Sequence, residues 1–439
     1  MTGGAAHYGW FGDDFTGATD TLGALAQAGQ RAMLFLGVPT PEHLEGAGAL
    51  DAIGIAGAAR AMSPEAMAGE LEPVGRFFAG QGVRVLHYKC CSTFDSAPEI
   101  GSIGVAIRVL RRHFPGAIVP IVGGQPNIGR YCLFSNLYAA AGIGGEVHRI
   151  DRHPTMSVHP VTPMGEADLR RHLAAQGLEG IAAIHYPAYA QGEAALDALM
   201  ARFAGERRPA VLLDIAEPAH LAAAGRLIWN EAQKAPLVAV GASSVAQGLT
   251  AHWAGKAGEA APSATTGLAP ADGPVFLMAG SLSPVTRRQV EAAGETYIRF
   301  HADAQSLIAR DIAAGALLAD AVGALRDGRH VMVVTAPAEG QAADIASAPR
   351  VAEATAAFLA EVMWQAPVKR LGVAGGDTSS RAVAALRLWG LSYLMSPGPG
   401  VSICRAHADA PALDGIEVML KGGQMGPPDL FVRLVEGTA

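Results

Sequence analysis

The 439-residue sequence predicts an α/β protein made of two α/β domains with mainly parallel sheets, and three observations carry that reading. Short, nearly continuous apolar runs alternate with stretches of helical period, as expected of strands buried on both faces by crossover helices. The chain is also long for one hydrophobic core. Between residues 254 and 274 the apolar period stops and the sequence becomes AGKAGEAAPSATTGLAPADGP, the composition of a linker. The expected organisation is a domain over 1–253, a linker over 254–274 and a second domain over 275–439.

Taken in order, residues Tyr8 to Phe11 read as the first strand, and Thr16 to Ala28 as a helix with Leu22, Leu25 and Ala26 on one face and Gly29 as its stop. Apolar runs at 31–38, 51–57, 83–90, 117–123, 181–186, 211–215 and 236–241 predict further strands. Past the linker, strands are expected at 275–279, near 296–300, at 330–335, at 371–374 and from Ile416 to Leu420. A turn and helix are expected from Gly280, and no internal repeat of fixed period is present.

Half of the residues are hydrophobic and the net charge is −7, with no lysine-rich or arginine-rich block. Neither nucleic acid nor a membrane surface is therefore expected as partner. No run approaches the roughly 18 apolar residues of a membrane span. The start, Met1-Thr2-Gly3-Gly4, lacks the basic and apolar regions of an export signal. Cys90, Cys91, Cys132 and Cys404 are too few and scattered for a disulfide scaffold or a CxxC metal site, so reduced thiols in a cytoplasm are expected.

The most informative segment is Trp10-Phe11-Gly12-Asp13-Asp14-Phe15-Thr16-Gly17-Ala18. It places two carboxylates at the carboxyl end of a strand, the ligand-facing edge of an open parallel sheet. One helix cap needs only one Asp, so a catalytic or ligand role is expected of at least one of the pair. A second cluster runs from His87 to Ser96, where Lys89 at a strand end precedes Ser92, Thr93 and Asp95. That set suits a polar, anionic small molecule, while Cys90 and Cys91 read as small buried residues. Arg149 to Pro160 reads as a structured loop whose His153 and His159 lack metal-ligand spacing, and no metal ligand is assigned.

Three glycine-rich sites follow in the second domain. Gly280-Ser281-Leu282-Ser283 runs from a strand end into a helix N-terminus, where free N–H groups favour an anion. Gly375-Gly376-Asp377-Thr378-Ser379 repeats that arrangement, and Lys421-Gly422-Gly423 ends the last strand. None is a P-loop or a GxGxxG fingerprint, so spacing alone does not separate ATP from another phosphorylated ligand.

These motifs, in this order and over nearly the whole chain, resemble the four-carbon acid sugar kinase family. The resemblance implies an N-terminal substrate domain, a C-terminal ATP domain, and ATP- and Mg2+-dependent phosphorylation of a sugar-acid hydroxyl in the cleft between them. It puts ATP at Ser281 or Ser283, at Gly375, Gly376, Asp377, Thr378 and Ser379, and at Gly422 or Gly423. Asp14 or Asp13 would act as base, and Lys89, Ser92, Thr93 and Asp95 would hold the sugar acid. A homo-oligomer is compatible with this. The family's lysine segment reads K-x-D-S-T-L-R-G, whereas here Cys91 takes the Asp place and Asp95 the Arg place. Replacing a guanidinium by a carboxylate reverses the local charge and removes bidentate donors, which puts erythronate and threonate in doubt as substrates. KCCSTFDSAPEIGSIG and RIDRHPTMSVHPVTPM resemble the branch acting on 3-oxo-isoapionate. A linear four-carbon acid kinase, a Mg2+-dependent hydrolase and a non-catalytic ligand sensor are the alternatives.

Overall fold

The computed structural model describes residues 6–142, 144–257, 267–280, 283–335, 348–398 and 400–438, and the chain divides into compact units at Ser263 and Ala264. In the first unit the strands are β1 (Tyr8–Gly12), β2 (Ala32–Phe35), β3 (Ala52–Ala56), β4 (Val85–Lys89), β5 (Val119–Gly123), β6 (Arg130–Leu133), β7 (Asn136–Ala140), β8 (Val147–Arg149), β9 (Ala182–Ile184), β10 (Ala210–Asp214) and β11 (Leu237–Gly241). Eight of them form a parallel sheet in the order β2-β3-β1-β4-β11-β5-β10-β9. The other three, β6 to β8, make a small antiparallel sheet absent from the sequence expectation.

Strand β1 is wholly buried, as its continuous apolar sequence requires. Its Trp10 ring packs where a Cβ on Gly54 of β3 would lie, 2.2 Å from that ring, so glycine there is what admits the indole. Burying a side chain of this size contributes about 1.5–3 kcal/mol. The indole N–H also donates to the Ala18 carbonyl at 3.2 Å, fastening the strand to the helix Phe15–Gln27. Because the chain leaves β1 toward β2 and β3 and returns on the other side as β4, the carboxyl ends of β1 and β4 form a switch point, the usual ligand crevice of an open α/β sheet.

The second unit contains β12 (Val275–Ala279), β13 (Ile298–His301), β14 (Val331–Val334), β15 (Arg370–Ala374), β16 (Leu388–Gly398), β17 (Val401–Ala408) and β18 (Glu417–Lys421), in the order β13-β14-β12-β15-β18-β17-β16. The first five are parallel, and β17 and β16 complete the sheet as an antiparallel hairpin. Here the switch point lies between β12 and β15. Val275, Leu277, Met332, Met419, Phe431 and Leu434 are among its buried core.

Of the linker residues, 254–257 close the helix Ser244–Ala257, and 258–266 lie outside the described residues. The loop expected over 149–160 contains two short 3-10 turns, Ile150–Arg152 and Met156–Val158. No helix among the described residues is long and apolar enough to cross a membrane.

Candidate active site

At the β1 edge the two aspartates take different positions. Asp14 is the N-cap of the helix Phe15–Gln27, with Oδ1 accepting from the Gly17 N–H at 2.8 Å, which satisfies one of the helix's free donors. Asp13 lies deeper, its side chain 4% exposed against 32% for Asp14. One guanidinium joins them. Arg60 donates from Nη2 to Asp13 Oδ1 at 2.7 Å, from Nε to Asp13 Oδ2 at 3.2 Å, and from Nη1 to Asp14 Oδ2 at 2.8 Å. Burial raises the Asp13 carboxyl above its ordinary range, with Arg60 opposing that rise. Burial likewise works against the Arg60 charge, but the neighbouring carboxylates more than offset it and hold the guanidinium protonated.

Lys89 ends β4 in register with Gly12 of β1 and Gly241 of β11. It is buried, and its ammonium donates to the Cys90 carbonyl at 2.8 Å. A Cβ on Gly17 would stand 2.5 Å from both Lys89 Nζ and Asp14 Oδ1, so the glycine of the Asp13–Ala18 motif makes room for the lysine. Beneath these groups His87 accepts from the Tyr8 hydroxyl at Nδ1 (2.6 Å) and donates from Nε2 to the Gly241 carbonyl (3.0 Å). That pairing binds β1, β4 and β11 together.

The loop after β4 is held by its own polar groups. Thr93 donates to Asp95 Oδ1 at 2.5 Å, and both residues are buried, whereas Ser92 is half-buried. Ser96 is tied to His172 and Gln176. Phe94 adopts a left-handed φ of 55°, a conformation that a bulky residue takes only when its surroundings impose it. Burial and the nearby Asp95 push the Cys91 thiol up to about 11. It therefore stays protonated, and burial raises Cys90 as well. All four cysteines are unpaired.

In the second unit the expected segments meet at the carboxyl ends of β12, β15 and β18. Gly375 takes a φ of 130°, donates to the Lys421 carbonyl at 3.0 Å and precedes the helix Gly376–Ala385, which has no side-chain cap. Gly280 donates to the Ala374 carbonyl, and a Cβ there would stand 2.5 Å from Thr378 Oγ1. Ser283 caps the helix Pro284–Ala292 and donates to the Gly423 carbonyl at 2.7 Å, and Thr286 donates to the same oxygen at 2.9 Å. Ser379 turns back toward the Val373 carbonyl at 3.5 Å. Ser281 and the Asp377 side chain lie outside the described residues.

Lys421 is fully buried, with Nζ donating to Thr286 Oγ1 at 2.7 Å and to the Gly423 carbonyl at 3.3 Å. No carboxylate pairs with it among the described residues, and burial lowers its ammonium to about 8. A cation with no carboxylate partner among the described residues, beside a helix start with no side-chain cap, fits a polyphosphate. No cluster of three metal-ligating side chains occurs among the described residues. A Mg2+ ion here would depend chiefly on phosphate and water oxygens.

Sequence reasoning missed Arg60 and Thr286. Arg60 follows β3 at the ligand edge, in Gly57-Ala58-Ala59-Arg60-Ala61, where a lone cation among small residues is the only signal. Thr286 sits inside the quoted Gly280 segment but is singled out only by its contact with Lys421.

A sugar-binding N-terminal domain model matches residues 8–249, and a nucleotide-binding C-terminal domain model matches residues 276–431. The chain is 38% identical to the 3-oxo-isoapionate kinase of Paraburkholderia graminis, over 98% of this chain and 94% of that protein. It is 31% identical to the 3-oxo-tetronate kinase of Methylobacterium radiotolerans, over 97% of each. Among solved structures, a Haemophilus influenzae protein superposes with a TM-score of 0.76 at 23% identity, covering 97% of this chain and 98% of that one. The chain is therefore a sugar-acid kinase of the four-carbon acid sugar kinase family.

Proposed function

We propose that this kinase transfers the γ-phosphoryl group of ATP to the 4-hydroxyl of 3-oxo-isoapionate. The observation that carries the choice of acid is the 38% identity to a 3-oxo-isoapionate kinase, against 31% or less for the 3-oxo-tetronate kinases compared. Asp95 standing where the family's arginine is usual supports it, because the common linear acids lose a charge-assisted fork there. In this reading Asp14 orients the acceptor hydroxyl and takes its proton at Oδ2, the oxygen not used in capping the helix. Asp13 keeps Arg60 in place, and Lys89, Ser92, Thr93 and Asp95 hold the sugar acid.

ATP with Mg2+ supplies the activated phosphoryl group and neutralises charge on it. Ser281, Ser283, Gly375, Gly376, Asp377, Thr378, Ser379, Gly422 and Gly423 would surround the nucleotide, with Lys421 beside the phosphates. Transfer of this kind asks for positioning and electrostatics more than covalent chemistry, and that is what these groups offer. Four unpaired cysteines agree with a reducing cytoplasm as its location.

A coupled assay of ATP consumption over a panel of linear and branched sugar acids tests the reading. The expected result is the highest kcat/KM with 3-oxo-isoapionate and poor turnover of D-erythronate and both threonates. Clear preference for a linear four-carbon acid would remove the substrate assignment and leave the kinase intact. Phosphate release independent of added acid would favour a hydrolase.

A further inference from the structure

We propose that Arg130 and Gln125 form the receptor for the carboxylate of the sugar acid. The inference rests on the kinase reading and adds to it the group that distinguishes an acid from a neutral sugar. Gln125 follows β5 at the same carboxyl edge that carries Asp13, Asp14 and Lys89. It faces Arg130 across an antiparallel bridge in which each residue's N–H donates to the other's carbonyl, at 2.9 and 3.2 Å. Residues paired in this way project their side chains on one side of the ribbon.

Both side chains carry donors that the protein does not use. Gln125 is 1% exposed, and its Nε2 is buried with no hydrogen-bond partner; Arg130 Nε is buried in the same condition. Arg130 Nη1 meets only backbone carbonyls, those of Ile128 at 2.9 Å, Gly129 at 3.4 Å and Ala140 at 3.2 Å. Among the described residues no carboxylate pairs with this guanidinium, whereas Arg60, Arg149, Arg170, Arg226 and Arg370 each have one. Leaving an arginine half-buried without a counter-ion is costly. A carboxylate arriving with the substrate satisfies both donors and the charge.

The location agrees. Neighbouring strands lie about 4.8 Å apart, so β5 stands roughly 10 Å from β4, a gap that an arginine side chain and a small acid span together. The guanidinium that the sequence lacks at position 95 is thus replaced from a different strand.

Steady-state kinetics of the full-length enzyme with 3-oxo-isoapionate and ATP decide the matter, using Arg130→Met, Arg130→Lys and Gln125→Glu. The last variant places an internal carboxylate beside Arg130 without removing packing. Expected are a KM for the acid raised about 10- to 150-fold in Arg130→Met, a smaller rise in Arg130→Lys and a rise in Gln125→Glu, with kcat and the KM for ATP little changed. An unchanged acid KM in folded Gln125→Glu and Arg130→Lys, or a fall in melting temperature as the sole effect of Arg130→Met, overturns the assignment and makes Arg130 a structural tie for its carbonyls. A wild-type enzyme that consumes no ATP with any sugar acid overturns the kinase reading, and this inference with it.

Discussion

The two units put their chemistry at the same topological place and build it from opposite materials. In the first, the β1/β4 switch point carries charged side chains, with Asp13, Asp14 and Arg60 held by one another and Lys89 held by the Cys90 carbonyl. In the second, the β12/β15 switch point carries backbone, with Gly280, Gly375 and Gly423 bonded in around the cation Lys421. A sugar acid presents hydroxyls to be distinguished and a proton to be removed, which calls for side chains of defined type. A polyphosphate presents equivalent oxygens, for which N–H groups and one positive charge suffice. The kind of group each edge offers fits the sugar-binding and nucleotide-binding domain models that match the two parts of the chain.

The hardest test of that division is Asp14→Asn. Asparagine caps a helix as well as aspartate does, so the fold should persist while kcat falls by at least about 10²-fold. The KM for ATP should change little, and wild-type turnover would remove Asp14 from the chemistry. A smaller but equally one-sided effect is expected from Gly376→Val, which puts a branched side chain at the uncapped helix start. Calorimetry should show ATP binding weakened about tenfold or more. Unchanged nucleotide affinity in a folded variant would take the nucleotide away from this edge.

The mildest effect is a titration. Lys421 is lowered to about 8 by burial, so kcat/KM for ATP, which reports the free enzyme, should decline as pH rises through about 8 and the ammonium is lost. Lys421→Met should lower this parameter at neutral pH and abolish the decline, and persistence of the decline in that variant would assign it elsewhere. Stability moves the other way. Between about 8 and the ordinary lysine value of 10.5 the native state binds fewer protons than the unfolded chain, so this residue's contribution to the unfolding free energy increases with pH across that window.

The parallel strands were legible because burial on both faces demands continuous apolar runs such as LVAVG and VFLMA. The β6–β8 sheet was not, since RYCL, NLYAA and VHR are short and of mixed polarity. Nor was the β16–β17 hairpin, whose first strand contains Gly390, Ser392 and Pro397 and has several register shifts. The chemical motifs could be read because they lie at strand ends. Arg60 could not, because its partners are 46 and 47 residues away and nothing periodic marks it. The burial of Lys89 was equally hidden, since the space it occupies is left by Gly17 on another element.

His87 has a further consequence. Burial brings its imidazole down to about 3, with the bond to Gly241 opposing that shift, and the ring that staples β1, β4 and β11 is uncharged throughout the working range of an enzyme. Acidity therefore leaves this staple intact. In a pH–rate profile of this kinase the alkaline side is accordingly expected to report Lys421 of the nucleotide unit, and the Asp13 carboxyl, raised by burial, is the group of the sugar unit expected to answer on the acid side.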